Sequence, residues 1–251
     1  LAIENDAARN GVEGPEQVTD RFGNLLFERD EIARYRQDQP KLSGSYNRTS
    51  EAGSIFNVNA AYQIFRRRES VTTDRTQTGQ RDIFELYDSR ENEWNAEFSA
   101  DYDFALGGGR LKLIGLQRFE HSPVSDFFGQ TFTDGVTAPN GSRFDRVTDE
   151  GESILRGEYG WKTKGGTDWG FSVEGAYNFL DNEGALAVLD SQGIFQPVAL
   201  TNANSKVTEY RGEFIGSYGR PLLENLSLQA TLGGEYSKIS QSGAAGQSRS
   251  F

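Results

Sequence analysis

Residues 93–104 alternate without a break: E-W-N-A-E-F-S-A-D-Y-D-F. Trp94, Ala96, Phe98, Ala100, Tyr102 and Phe104 fall on one side. Glu93, Asn95, Glu97, Ser99, Asp101 and Asp103 fall on the other. A period of two predicts a β-strand, because successive side chains of a strand point to opposite faces. About 11 residues is also what a tilted strand needs to cross a bilayer. An aromatic, apolar face backed by a charged one is the pattern of a transmembrane barrel strand.

The alternation recurs about eight times along the chain. The apolar face gathers Leu42, Gly44 and Tyr46, then Phe56, Val58, Ala60, Tyr62 and Ile64. It continues through Leu111 and Leu113, Tyr159 and Trp161, Trp169, Phe171, Val173 and Tyr177, Phe214 and Tyr218, and finally Leu226 and Leu228. The expected lipid-facing set is Phe56, Val58, Tyr62, Trp94, Phe98, Tyr102, Trp161, Trp169, Phe171, Tyr177, Phe214 and Tyr218. The predicted fold is all-β: an antiparallel meander of about eight long strands, a barrel segment left as an open curved sheet. The strands near Leu42 and Leu228 are its expected edges.

Turn signals fix the register. Short turns are expected near residues 51–53, 107–108, 165–166 and 220–224, and long loops near residues 67–91, 121–151 and 181–205. Short turns on one rim and long loops on the other is the asymmetry of outer-membrane barrels. A two-residue Gly107-Gly108 turn pairs Tyr102 with Leu113 outside, and Asp103 with Lys112 and Glu97 with Arg118 inside. A three-residue turn over 164–166 pairs Trp161 with Trp169, Lys162 with Asp168 and Arg156 with Glu174. A slip by one residue would put charges on the apolar face. Residues 1–37 read as an irregular segment with a short hairpin around Gly23-Asn24, and residues 38–251 as the barrel segment, stopping in a loop before its next strand.

Composition narrows the function. Of 251 residues 35% are hydrophobic, with a net charge of −11. A wall that is apolar on one face only reconciles so little hydrophobicity with 12% aromatics and 29 glycines. There is no cysteine, which excludes disulfides and thiolate metal sites, and His121 is the single histidine. No cofactor or metal site is expected. The acidic balance argues against nucleic acid as a partner. No nucleophile elbow, P-loop or dinucleotide fingerprint occurs, so the chain does not read as an enzyme. It opens Leu-Ala-Ile with no signal peptide or initiator methionine, which reads as an excised fragment or a processed chain.

The stretch P-L-L-E-N-L-S-L-Q-A-T-L-G-G-E-Y-S over residues 221–237 resembles a late barrel strand of the TonB-dependent outer-membrane receptors. In that family a Pro/Leu turn leads into a strand ending in an Arg-Tyr-x-x-Tyr-Ser-like element. Here Glu235-Tyr236-Ser237 keeps the aromatic and the serine but lacks the arginine. The strand over 209–218 is similar to the family too, and the likeness of pattern covers residues 38–240. The resemblance implies a barrel of about 22 strands in the outer membrane of a Gram-negative bacterium. It further implies a plug domain upstream, an energy-coupling protein as partner, and uptake of a scarce small-molecule ligand such as a siderophore, cobalamin or glycan. A complete eight-stranded structural or adhesion barrel is the alternative, and an outer-membrane hydrolase built on His121 a more remote one.

Three constellations have two readings each. Arg66-Arg67-Arg68 is either a solvated charge run or a contact for lipopolysaccharide phosphates among the outer-membrane lipids. Glu93, Glu97, Asp101 and Asp103 form a polar wall facing a plug, or a cation-attracting lumen. His121, Phe127 and Phe128 fall in an expected loop, where they either grip a ligand or have no task.

Overall fold

Four turns of the chain share one construction. Asp20, Ser50, Thr163 and Asp190 each begin a five-residue turn whose fourth position is a glycine: Gly23, Gly53, Gly166 and Gly193. The glycine N–H donates to the carbonyl of the first residue, as Gly53 does to Ser50 at 2.9 Å. The first residue's N–H donates to the carbonyl of the fifth, as Thr163 does to Thr167 at 2.8 Å. Its side-chain oxygen accepts the N–H of the fifth residue in all four. The glycines hold φ between 73° and 86°, a left-handed conformation that costs other residues roughly 1–2 kcal/mol. Such turns reverse the chain into antiparallel hairpins.

A computed structural model describes residues 1–76, 79–201, 203–243 and 249–250. It is all-β: β1 (Ala2–Thr19), β2 (Leu25–Thr49), β3 (Ile55–Thr76), β4 (Ile83–Leu106), β5 (Gly109–Phe132), β6 (Asn140–Lys162), β7 (Asp168–Leu189), β8 (Phe195–Val198), β9 (Ser205–Leu223), β10 (Leu226–Gly243) and β11 (Arg249–Ser250). Each strand pairs antiparallel with its neighbour in one open sheet of order β1-β2-β3-β4-β5-β6-β7-β9-β10-β11, with β8 folded onto β7. The predicted meander is therefore observed, and no pairing joins β1 to β10.

The expected register holds pair for pair in both test hairpins. Tyr102 faces Leu113, Asp103 faces Lys112 and Glu97 faces Arg118. Trp161 faces Trp169, Lys162 faces Asp168 and Arg156 faces Glu174. The Gly107-Gly108 and Gly165-Gly166 turns lie at one end of the sheet with the Ser50 turn; the Asp20 and Asp190 turns lie at the other.

Four expectations need correction. Residues 1–37 are not irregular: β1 and β2 form an unbroken ladder from Ala2↔Ser43 to Val18↔Phe27, around the foreseen Gly23-Asn24 turn. β1 escapes sequence reading because both of its faces are polar. Consequently β1, and not the strand near Leu42, is the edge on that side. On the other side the two-residue β11 pairs with Ser240 and Gln241 of β10, so the Leu228 strand does carry a neighbour there. Finally, the three long loops are mostly strand. β3 runs to Thr76 and β4 starts at Ile83, while β5 runs to Phe132 and β6 starts at Asn140. Above Ile64 and Trp94 polar residues enter both faces, so the strict period-two signal is lost although the ladder continues. Phe251, an aromatic terminus by sequence, lies outside the described residues.

The sheet is a single layer. Among the described residues Ala176 is the only buried apolar side chain. Leu155 (68%), Val173 (59%) and Leu232 (77%) stand open on one face. A sheet needs a second layer, or an apolar solvent, to cover such a face.

Candidate functional site

Register carries one face across the whole sheet. Tyr46 faces Val58, Phe56 faces Tyr102 and Leu111 faces Tyr159. Trp169 then faces Tyr218, and Val173 faces Phe214. All twelve residues of the expected lipid-facing set lie on this face. They sort into two aromatic bands with an apolar belt between them.

The first band borders the short-turn end. Tyr46 meets Phe56 at 6.5 Å between ring centroids, and Phe56 meets Tyr102 at 6.0 Å. Farther along, Trp161 stacks on Trp169 at 6.1 Å, and Trp169 meets Tyr218 edge-on at 4.8 Å. The second band crosses mid-strand. Tyr62 meets Trp94 at 6.0 Å, Trp94 meets Phe119 at 5.1 Å, and Phe119 meets Phe179 at 6.1 Å. Tyr177 closes it against Tyr210 at 4.8 Å. Between the bands the face carries small and aliphatic residues such as Val58, Ala100, Gly115, Leu155 and Val173.

The opposite face is a charged network. Glu174 accepts from Arg211 at 2.9 Å and lies 3.8 Å from Arg156, which also pairs with Glu158 at 2.7 Å. Glu209 accepts from Asn178 at 3.0 Å and from Ser237 at 2.7 Å. Glu93, Glu97, Asp101 and Asp103 lie on this face, as their alternation implied. Their partners differ from the simplest expectation. Asp103 faces Lys112 on the backbone, but its carboxylate pairs with Arg110 at 2.9 Å. Arg118 likewise pairs with Glu120 at 3.2 Å instead of Glu97. A long side chain can reach a diagonal neighbour, as Arg110 does, or the next residue on its own strand's face, as Arg118 does.

His121, Phe127 and Phe128 are in β5 and not in a loop, and they do not come together. His121 lies on the apolar face in the second aromatic band, 6.0 Å from the Trp94 ring. Its Nδ1 lies 2.6 Å from Asp149 Oδ1. Among the described residues no serine or threonine hydroxyl hydrogen-bonds this ring. Phe127 shares the His121 face and meets Phe195 at 6.2 Å. Phe128 lies on the charged face opposite Tyr87 in the ladder, whose hydroxyl donates to Asp126 at 3.4 Å. Phe144, opposite Asp126 on β5 and Leu186 on β7, lies on the same face.

Arg66-Arg67-Arg68 is split in the same way. Arg66 and Arg68 are on the face of the aromatic bands; Arg67 points to the other side, toward Glu91 at 3.9 Å. Arg36 and Arg90 join Arg66 and Arg68 around one shallow depression.

The Asp20, Asp134 and Asp190 carboxylates sit in turns at the far end. Each is held below the ordinary carboxylate range by hydrogen bonds donated to it. For Asp20 the chief donor is the Asn24 side chain, and for Asp190 the Ile194 N–H. The Asp134 carboxyl falls to about 2, mainly through the Thr137 hydroxyl and N–H. No cluster of histidine and carboxylate groups able to hold a metal ion occurs among the described residues. Comparison with protein-family models, with curated proteins and with solved structures gives no match.

Proposed function

We propose that this chain is part of the wall of a transmembrane β-barrel in a Gram-negative outer membrane. The full protein would be a TonB-dependent receptor that takes up a scarce nutrient of the siderophore, cobalamin or glycan class. The single observation behind the barrel is the pair of aromatic bands bounding an apolar belt on one face of a one-layer sheet. Trp169 and Phe179 are ten residues apart on β7, about 33 Å along a strand. With the 35–45° tilt of barrel strands this is about 25 Å of height, the size of the apolar band of outer-membrane barrels. Lipid then covers the exposed belt, and aromatic rings occupy both interfaces. The charged face becomes the lumen wall, available to a plug.

Strand length supports the same reading. β4 has 24 residues, about 80 Å, while about 11 suffice to cross. The upper halves therefore project beyond the membrane. They carry Tyr87 and Phe128, ladder partners on the charged face, where an arriving ligand would meet them. The open sheet, with β1 and β10–β11 at its edges, argues for further strands and against a self-contained eight-stranded barrel. The receptor assignment rests on the resemblance of residues 221–237.

Uptake separates the possibilities. Cells carrying the intact gene and a deletion strain are given labelled ferric siderophores, cobalamin or oligosaccharides. The expected result is accumulation of one class that is lost on deletion and on collapse of the proton gradient. Accumulation that survives a protonophore would reject energised uptake and leave a passive channel.

A further inference from the structure

Four arginines stand in one cross-strand row. Arg9 faces Arg36, Arg36 faces Arg68 and Arg68 faces Arg90. The row crosses β1, β2, β3 and β4 on the face of the aromatic bands. Arg66 lies one step below it, opposite Asp38. Like charges directly opposite one another destabilise a sheet, yet here three such pairs follow in succession. Two carboxylates answer them. Asp38 pairs with Arg36 at 2.8 Å and Arg9 at 3.8 Å. Asp88 pairs with Arg68 at 3.0 Å and Arg90 at 2.7 Å. Five arginines against two aspartates leave a local charge of +3 in a chain whose net charge is −11. The guanidinium-bearing side chains of the row are all more than half exposed, from 56% to 66%.

Height is the second observation. Arg90 is four residues above Trp94 on β4, about 13 Å along the strand. The row thus sits just beyond the second aromatic band, with the apolar belt on the far side of that band. Adjacent strands are about 4.8 Å apart, so four guanidiniums span about 14 Å and can engage more than one phosphate.

Resting on the membrane reading above, we propose that the row formed by Arg9, Arg36, Arg68 and Arg90, with Arg66 below it, binds the phosphates of a phosphorylated glycolipid in the outer leaflet. The acyl chains of that lipid lie on the belt below. A free phosphate ion would gain from the guanidiniums alone; a lipid gains from both features, and only a lipid needs them at this spacing. Arg67, on the opposite face, takes no part.

The test uses the intact protein in zwitterionic micelles, with bis-phosphorylated lipid A as probe and native mass spectrometry as readout. Replacing three surface arginines together (Arg36→Gln, Arg68→Gln and Arg90→Gln) is expected to weaken lipid A binding on the order of a hundredfold. Arg67→Gln should leave it unchanged. Dephosphorylated lipid A should bind the wild type no better than lipid A binds the triple variant. Undiminished binding by the triple variant overturns the proposal. So does displacement of lipid A by millimolar inorganic phosphate, which would make this a free-anion site. Quenching of tryptophan emission by brominated phosphatidylcholine is measured in parallel. Equal quenching in wild type and triple variant shows that both are folded and lipid-embedded, so unchanged lipid A binding then fails this proposal alone. No quenching in either fails the membrane reading itself, and this proposal with it.

Discussion

Phe119 and Phe179 touch across a strand that separates them. Both pair with Gly151 of β6, Phe119 from β5 and Phe179 from β7, and their ring centroids are 6.1 Å apart. The contact exists because Gly151 has no side chain. A Cβ added there would lie 2.4 Å from Phe179 Cε1 and 3.2 Å from the Arg118 carbonyl oxygen. The second aromatic band is continuous only through this gap.

Gly151→Ala is therefore expected to destabilise the folded protein by about 1–3 kcal/mol, the usual range for overpacking. Urea unfolding of the intact protein in vesicles measures it. Phe179→Ala in the same chain removes the clashing ring, so the double variant should lose clearly less than the sum of the two single ones. Strict additivity would mean that the ring and the glycine do not interact.

The turn glycines make a contrasting case. Gly53 has φ 73° with open space around it, so the strain of a side chain there is purely that of the backbone. Gly53→Ala should cost about 1 kcal/mol. Gly115 also has open space but no left-handed backbone, and Gly115→Ala should be neutral or stabilising by up to about 1 kcal/mol. Equal losses at the two positions would reject the φ argument.

The sequence made the half of each strand nearer the short turns legible, and little beyond it. Residues 93–104 could be placed to the exact partner, since one face is apolar and a one-residue slip is penalised at every position. β1 and the upper reaches of β3, β4 and β5 mix polar and apolar side chains on both faces, so no period of two distinguishes strand from loop. The Arg9–Arg36–Arg68–Arg90 row could not be read either. Its members are spread over four strands, and the run Arg66-Arg67-Arg68 suggests a single cluster where alternation puts the middle residue on the other side. The D/S/T-x-x-G-x turns, by contrast, recur four times in plain sight as D-R-F-G-N, S-E-A-G-S, T-K-G-G-T and D-S-Q-G-I. The first of them is the foreseen β1–β2 hairpin turn; what stayed hidden was the length of the ladder it closes.

Asp134 gives a pH signature at the far rim. Its carboxylate accepts from the Thr137 hydroxyl at 2.6 Å, the Thr137 N–H at 2.9 Å and the Val136 N–H at 3.0 Å. These bonds hold its pKa at about 2, below the ordinary carboxylate value. A depressed carboxylate stabilises the fold when ionised. Its contribution is complete above about pH 4 and is lost as pH falls through about 2. Carboxyl NMR should show the low midpoint, and the protection of the Val136 and Thr137 amides, relative to their intrinsic exchange rates, should fall only below about pH 3. In Asp134→Asn that acid-triggered step should vanish. A midpoint near 4 would show that the turn does not hold the ion.

Adjacent positions on β7 give the sharpest test of which face meets lipid. Val173 and Ser172 are neighbours, but Val173 lies in the apolar belt opposite Phe214, and Ser172 on the charged face opposite Ile215. Val173 is midway between the two bands, four residues from Trp169 and six from Phe179. An arginine at the midplane of a barrel's lipid face costs about 2–4 kcal/mol, while lumen positions tolerate charge. Val173→Arg should therefore lose that much in urea unfolding from vesicles. Ser172→Arg should lose well under 1 kcal/mol, since its side chain enters a face already holding Glu158, Glu174 and Glu213. Were the sheet instead covered by a second protein layer in water, Val173→Arg would also be harmful. The loss would then persist in detergent-free buffer, where a membrane wall does not stay folded at all. Folding of the wild type without lipid or detergent, or equal losses for the two arginines, would refute the assignment of faces.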